Sequence, residues 1–237
     1  MASQPDLHLL ERQLYDAAMR GVPQEVAFAL DQGANINWQN VDSSHSTPLH
    51  VATYRGNDSV VRLLLDRKAS VDTTANDSAT PLHIAACEGR ESVVRLLLDR
   101  KASIDATAKG NATPMHAATY YGHESVVRLL LDRGAAIDTM DEDNWTPLYI
   151  AACYGHESIV RLLLERGANI NAADKFNRTP LYIAAQKSHE SVVRLLLERG
   201  ADTTVVSVGC CGQRSPVIRD NLTHTATERI RSTNPWQ

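Results

Sequence analysis

A 33-residue repeat constrains the fold of this chain more than any other feature of its 237 residues. The sequence Thr-Pro, followed by an apolar residue and then His or Tyr, recurs at a constant interval of 33 residues, as from 47 to 80. A constant interval of this length indicates stacked units, because each unit then buries its apolar surface against its neighbours. The five copies begin at Thr47, Thr80, Thr113, Thr146 and Thr179.

Each copy predicts two helices joined by a turn. Thr is a favoured N-cap residue and Pro a favoured first helical residue, so the first helix begins at the Thr-Pro pair. A glycine that can adopt a left-handed conformation is expected where this helix ends. Ser188 takes that place in the last copy, which is expected to strain the turn by about 1 kcal/mol. The glycines of the other copies are Gly56, Gly89, Gly122 and Gly155.

The second helix of each copy is almost invariant and carries a broad apolar stripe. A stripe of this width suits a helix that has neighbours on two sides. An acidic residue also precedes an arginine by four positions in every copy, as in Glu91 and Arg95, which predicts a solvated back face and not a binding site. In the copy that begins at Thr80, the stripe consists of Val93, Val94, Leu96, Leu97 and Leu98.

With these motifs the chain closely resembles the ankyrin repeat family. That family has a period of 33 residues and the signature Thr-Pro-Leu-His-x-Ala, which stands complete at 47–52 and 80–85. The resemblance implies an all-α solenoid of stacked helix-turn-helix units with β-turn fingers. It also implies that the signature His braces the Thr-Pro turn. Tyr149 and Tyr182 replace this His, so we expect them to loosen the brace without changing the fold.

The array is expected to contain six helix pairs and to leave both ends of the chain outside it. Residues 1–7 are predicted to be a flexible N-terminus, and 8–40 a degenerate capping repeat that lacks Thr-Pro. The five repeats fill 41–204. Residues 205–237 lack the period and are predicted to be irregular or disordered. For this tail, disorder, an irregular cap over the last unit and a truncated longer array stay open.

Charge and hydropathy exclude several classes of function. The chain carries 24 Lys and Arg against 28 Asp and Glu, so its net charge of −4 does not indicate direct binding of nucleic acid. No apolar run approaches the roughly 18 residues of a membrane-spanning helix, and acidic residues interrupt the region where a signal peptide would be apolar. We therefore expect a monomer of the cytoplasm, the nucleus or both, without membrane insertion.

The sequence contains no motif for catalysis, for a metal or for a cofactor. Phosphate-binding loops, nucleophile elbows and paired catalytic carboxylates are all missing from it. His50, His83 and His116 hold one position in successive units, roughly 10 Å apart, whereas a zinc ligand lies about 2 Å from its metal. Cys87 and Cys153 lie two units apart, which excludes a disulfide between them. We predict a non-enzymatic protein.

The binding surface is predicted where the copies differ from one another. The resemblance implies that a partner docks on the concave face, which consists of the turn tips and the first helices. Seven of the twelve aromatic residues fall at those variable positions, although packing of Tyr54 and Tyr120 between repeats stays open as an alternative. The predicted centre is Tyr121, Trp145, Tyr154 and Phe176. The candidate partner-binding residues are Trp38, Tyr54, Arg55, Tyr120, Tyr121, Glu142, Trp145, Tyr154, Lys175, Phe176, Arg178 and Lys187.

The predicted function is therefore that of a scaffold or adaptor that binds a partner protein on its concave face. A first alternative is a transcriptional co-regulator that acts by binding a DNA-bound factor, as members of the family commonly do. A second alternative is an enzyme whose site is completed by the tail, but the sequence contains no motif that supports it.

Overall fold

The computed structural model describes residues 7–203, and these confirm the predicted all-α solenoid of stacked helix pairs. Within this range there are twelve α-helices and no β-strand. Residues 1–6 and 204–237 lie outside the described residues, and with them nearly all of the predicted flexible N-terminus and the predicted tail. The helices form unit 1 (α1, Leu7–Arg20; α2, Pro23–Asp31), unit 2 (α3, Pro48–Arg55; α4, Asp58–Asp66), unit 3 (α5, Pro81–Cys87; α6, Glu91–Asp99), unit 4 (α7, Pro114–Tyr120; α8, Glu124–Asp132), unit 5 (α9, Pro147–Tyr154; α10, Glu157–Glu165) and unit 6 (α11, Pro180–Gln186; α12, Glu190–Glu198).

Each first helix from unit 2 onward begins at the predicted Thr-Pro pair. In unit 2 the Thr47 hydroxyl accepts the N–H of His50, and the N–H of Thr47 donates to Nδ1 of His50, which completes a capping box. Units 3 and 4 repeat this arrangement. In unit 5 the N–H of Tyr149 donates to the Thr146 hydroxyl at 3.2 Å, so the helix start is kept although the histidine is replaced.

Equivalent aliphatic side chains of successive units form one continuous core that runs from Leu10 to Ala201. Leu97, Leu130 and Leu163 hold the same position in α6, α8 and α10 and are completely buried. Burial of such a side chain contributes about 2 kcal/mol. Because each unit covers the next, the array needs no closed globular core.

The first helices of neighbouring units approach one another more closely than the second helices do. Alanines such as Ala85, Ala118 and Ala151 allow this approach, whereas the second helices carry the larger Val and Leu side chains. Unequal spacing on the two sides bends a stack toward its narrower side. The first helices therefore lie on the concave side, and their ends are accessible there together with the turn tips.

Each first helix ends in a left-handed residue, as predicted, and the following unit fixes that end. His123 of unit 4 contacts the carbonyl oxygen of Cys87 in unit 3 through Nε2 at 2.8 Å. His156 and His189 make the same contact one and two units later, at 3.1 and 3.0 Å. Ser188, which replaces the glycine in unit 6, also adopts a left-handed conformation with φ of 60°.

Ion pairs cover the outer side of the second helices. The predicted pairs four residues apart form in α6, α8 and α10, as between Arg95 and Glu91 at 2.9 Å. A second series was missed in the sequence: Arg133 pairs with Asp99 of the preceding unit at 2.9 Å, 34 residues earlier. The same pair recurs along the whole stack. Each exposed pair contributes at most about 1 kcal/mol, and together they make this face solvated and self-neutralised.

Candidate functional site

The turn tips form short fingers that hydrogen-bond to one another along the array. In the finger of unit 5, the Asp141 N–H donates to the Trp145 carbonyl at 3.2 Å, and a carboxylate oxygen of Asp141 accepts the N–H of Trp145 at 2.8 Å. Neighbouring tips are linked by the Glu142 N–H, which donates to the Gly110 carbonyl at 2.8 Å. Asn144, two residues before the repeat threonine, has φ of 59°, so the turn contains a left-handed residue there.

The signature histidines brace these fingers. Nδ1 of His116 accepts the N–H of Thr113, and its Nε2 faces the carbonyl of Trp145 in the next finger at 3.0 Å, so Nε2 carries the proton. Burial lowers the pKa of His50 and His116 to about 4 and that of His83 in the same direction, against the opposing effect of the carbonyl contacts. The imidazoles are therefore neutral at pH 7.

Tyr149 does not loosen the brace, so this part of the sequence prediction is wrong. Tyr149 is completely buried, and its hydroxyl donates to a carboxylate oxygen of Asp174 in the next finger at 3.1 Å. Burial of Asp174 opposes its ionisation, but hydrogen bonds from Arg178 and Phe176 outweigh this effect and lower its pKa. The sequence signal is only partial: Ala75 and Ala108 stand at that finger position after the histidines of units 2 and 3, but Asp141 stands there after His116 of unit 4.

Two of the candidate aromatic residues support the fingers from inside. Trp145 is partly buried and packs against Tyr149, with 5.2 Å between the ring centroids. Trp38 is also partly buried and meets Tyr15 edge to face at 6.1 Å. Trp145, which the sequence predicts at the centre of the binding surface, is therefore a partly buried ring packed against the core.

Three tyrosines at the ends of α7 and α9 form a tyrosine cluster (Tyr120, Tyr121 and Tyr154) on the concave side. The ring centroid of Tyr120 lies 4.9 Å from that of Tyr121 and 4.5 Å from that of Tyr154. Tyr120 is partly buried between the other two, which are 44% and 39% exposed. The cluster thus joins units 4 and 5 and presents two rings to solvent. Tyr120 therefore packs between repeats, which is the alternative that the sequence left open for it.

The neighbours of the cluster stack on its rings and keep its ionisable groups neutral. His123 stacks on Tyr121 and His156 on Tyr154, and both histidines are fixed by their carbonyl contacts. The Tyr121 hydroxyl hydrogen-bonds with the thiol of Cys87. Burial raises the pKa of Cys87 to about 11 and that of Tyr121 to about 12, so both groups stay protonated at pH 7. The cluster is therefore a neutral aromatic surface whose rings are ordered by their neighbours.

The remaining candidates flank the cluster on both sides. Tyr54 is 50% exposed at the end of α3, where the Arg55 guanidinium lies 5.7 Å from its ring centroid. Phe176 is 59% exposed at the finger tip of unit 6, between Lys175 and Arg178 at 5.4 and 5.0 Å. Both of these cations are paired, Lys175 with Asp143 and Arg178 with Asp174. Glu142 and Lys187 are exposed.

No group of three or more His, Cys, Asp or Glu side chains within residues 7–203 could hold a metal ion. Cys87 and Cys153 are free thiols. None of the helices in this range is long and apolar enough to cross a bilayer.

Comparison with known proteins identifies the family that has this architecture. The family model described as ankyrin repeats (3 copies) matches residues 14–108, 71–141 and 115–207, which together span most of the chain. The chain belongs to the ankyrin repeat family. A solved structure of the human ASB11 ankyrin repeat domain superposes with a TM-score of 0.75 at 30% identity, over 85% of this chain and 88% of that one. No curated protein matches the chain.

Ankyrin repeats are generally protein–protein interaction modules, and the ankyrin fold is typically not enzymatic. In this ankyrin array the second helices are ion-paired among themselves, whereas the exposed aromatic rings of units 2 to 6 stand at the ends of the first helices and at one finger tip; in unit 1, Phe28 is exposed on the second helix.

Proposed function

We propose that this ankyrin array is a non-enzymatic scaffold or adaptor that binds a partner protein through the tyrosine cluster. The observation that carries the proposal is the contact between Tyr120, Tyr121 and Tyr154 across two units, with two rings left exposed. Tyrosines dominate the binding energy of many interfaces. Rings that are already ordered lose little conformational freedom when a partner binds.

The other candidates take graded roles in this proposal. Tyr54, Arg55, Glu142, Phe176 and Lys187 are exposed and form the outer contacts. Lys175 and Arg178 serve mainly to orient Phe176, since their charges are already neutralised by acids.

A protein partner, and not nucleic acid, is also supported by the pairing of the basic residues. Arg67, Arg100, Arg133, Arg166 and Arg199 on the second helices each face an acid of the preceding unit within 4.0 Å. A nucleic-acid footprint requires a continuous patch of uncompensated positive charge. We propose that the protein is monomeric when its partner is absent.

Affinity capture with full-length protein tests the proposed function. Tagged wild type and the Tyr121→Ala/Tyr154→Ala variant are incubated with lysate of the cells that express the protein, and captured proteins are quantified by mass spectrometry. A partner of the cluster should be recovered with wild type and lost, by about tenfold or more, with the double variant, because two hot-spot side chains contribute several kcal/mol.

Phe28 provides a matched control for that experiment. It is the aromatic residue of α2 and is 62% exposed, on a second helix away from the cluster. Phe28→Ala should leave recovery of the partner unchanged, and all variants should keep the helical circular dichroism of wild type. Equal recovery with wild type and the double tyrosine variant would refute the assignment of the binding surface.

We further propose a location in the cytoplasm, the nucleus or both, which microscopy of the tagged protein tests. Enrichment in the nucleus together with capture of a DNA-bound factor would favour the co-regulator over the adaptor. Strictly cytoplasmic staining would argue against transcriptional co-regulation.

A further inference from the structure

Five exposed residues hold one position in successive units and form what we call the recognition row. The position lies eight residues after the repeat threonine, at the end of each first helix. All five side chains are exposed on the concave side, where the first helices end. In the order of the units, the recognition row reads Arg55, Glu88, Tyr121, Tyr154 and Lys187.

The charges of the recognition row differ from most other charges of the array because they lack ion pairs. Within residues 7–203, no acid lies within salt-bridge distance of Arg55 or Lys187, and no base within that distance of Glu88. The Arg55 guanidinium lies over the ring of Tyr54 instead. Their order is positive, negative, aromatic, aromatic, positive, and an uncompensated charge beside exposed rings is available to a partner.

The spacing of the row selects the conformation of a bound segment. Neighbouring units are stacked roughly 10 Å apart. A polyproline II segment advances about 9.3 Å in three residues and returns to the same face after three residues. An α-helix advances about 10.5 Å in seven residues and then points about 20° away from the row, a deviation that adds up to about 80° over the four steps between the five units. A β-strand places residues three apart on opposite faces.

The tyrosine rings favour the same conformation. Aromatic surfaces recognise polyproline II segments by packing against their prolines, which lose little entropy because the segment is already ordered. The hydroxyl groups of Tyr121 and Tyr154 hydrogen-bond within the protein, to Cys87 and Tyr120, so the row presents ring surface to a partner and not unpaired hydroxyl groups.

We propose that the recognition row binds one partner segment in polyproline II conformation that places every third residue against successive units. Proline or another apolar residue packs on Tyr121 and again on Tyr154. A basic residue faces Glu88, and acidic residues face Arg55 and Lys187. The five contacts need a segment of about 13 residues. This inference rests on the proposed function and specifies the chemical character of the partner segment.

Selection from a random-peptide display library tests the inference, with peptides longer than this segment and immobilised full-length protein. Peptides enriched on wild type should carry acid, base, apolar, apolar and acid at intervals of three residues. The variant Arg55→Glu/Glu88→Lys/Lys187→Glu reverses the three charges and should select the opposite charge order. It should bind the wild-type peptides about tenfold more weakly, with a difference that shrinks at high salt.

Lys68→Glu is the control for the charge reversal, because Lys68 is exposed at the end of α4 and outside the row. It should leave binding unchanged. Enriched peptides that need the tyrosines but show no charge order or no three-residue interval would overturn this inference alone. Enriched peptides that bind Tyr121→Ala/Tyr154→Ala as well as wild type would count against the proposed function. Failure of any peptide to enrich above the bare support would also overturn the inference.

Discussion

At the scale of single residues, two threonines break the pattern of the first helices. Thr53 and Thr119 are completely buried, and within the described residues their hydroxyl groups have no hydrogen-bond partner. The same position is Ala86 in unit 3 and Ala152 in unit 5, where no polar group is buried. A buried hydroxyl without a partner costs about 1–3 kcal/mol, so these two sites are local weak points of the core.

We expect Thr119→Val to stabilise the protein. Valine has the shape of threonine without its hydroxyl, so the free energy of unfolding should rise by about 1 kcal/mol. Urea unfolding followed by circular dichroism measures it. Thr113→Val is the matched control: it removes a hydroxyl that accepts the N–H of His116 and should cost about 1 kcal/mol. Destabilisation by Thr119→Val would show that the hydroxyl has a partner.

At the scale of the elements, the end of each first helix is shaped by the unit that follows it. A Cβ on Gly122 would lie 2.8 Å from Cε1 of His156, which holds the Tyr120 carbonyl and stacks on Tyr154. Glycine is thus needed twice, for its positive φ and for the space that the next histidine fills. In unit 6 the side chain of Ser188 occupies the corresponding space. Within residues 7–203 no further unit stacks against it.

Two opposite exchanges should therefore have opposite effects. Gly122→Ser should lower the free energy of unfolding by about 2 kcal/mol or more, since it adds a left-handed side chain and displaces His156. Ser188→Gly should raise it by about 0.5–1 kcal/mol, because only the conformational strain is removed. Chemical unfolding of both variants beside wild type measures the two effects. Similar losses in both would show that the contact with the next unit is irrelevant.

At the scale of the whole molecule, three buried histidines make the stability of the array depend on pH. His50, His83 and His116 have lowered pKa values in the folded state, to about 4 for His50 and His116, because burial opposes their charge. The unfolded chain takes up protons at about 6.5, so it binds them before the folded chain does. Stability is complete above the unfolded pKa and falls as the pH drops from there toward the folded pKa.

The array should therefore lose stability between about pH 6.5 and pH 4, by up to about 1.4 kcal/mol per pH unit for His50 and for His116, and His83 should contribute in the same direction. His116→Tyr should remove the contribution of His116 and keep the fold, because Asp141 stands where Asp174 accepts the hydroxyl of Tyr149. Urea unfolding at a series of pH values measures the slope, with His45→Gln as a control that removes an exposed imidazole. An unchanged slope in His116→Tyr would contradict the assignment.

Most of the fold can be predicted from the repeat, because the periodic pattern indicates where the helices lie and which units are neighbours. The site follows only in part. Tyr121 and Tyr154 were recognised as exposed variable residues, but Trp145 was misplaced, since an aromatic side chain in a turn can point outward or fold under the finger. Its ring packs on Tyr149, which in turn contacts Asp174 of the next unit, 25 residues away in sequence.

The sequence by itself determined the 33-residue unit, the Thr-Pro helix starts, the left-handed helix ends and the set of variable positions. These properties are local or strictly periodic, so each is visible within one or two copies. The tertiary structure decided which aromatics are exposed, which charges are paired between units and which tyrosines meet. Those outcomes depend on the close stacking of the first helices, which brings side chains from different units within contact distance.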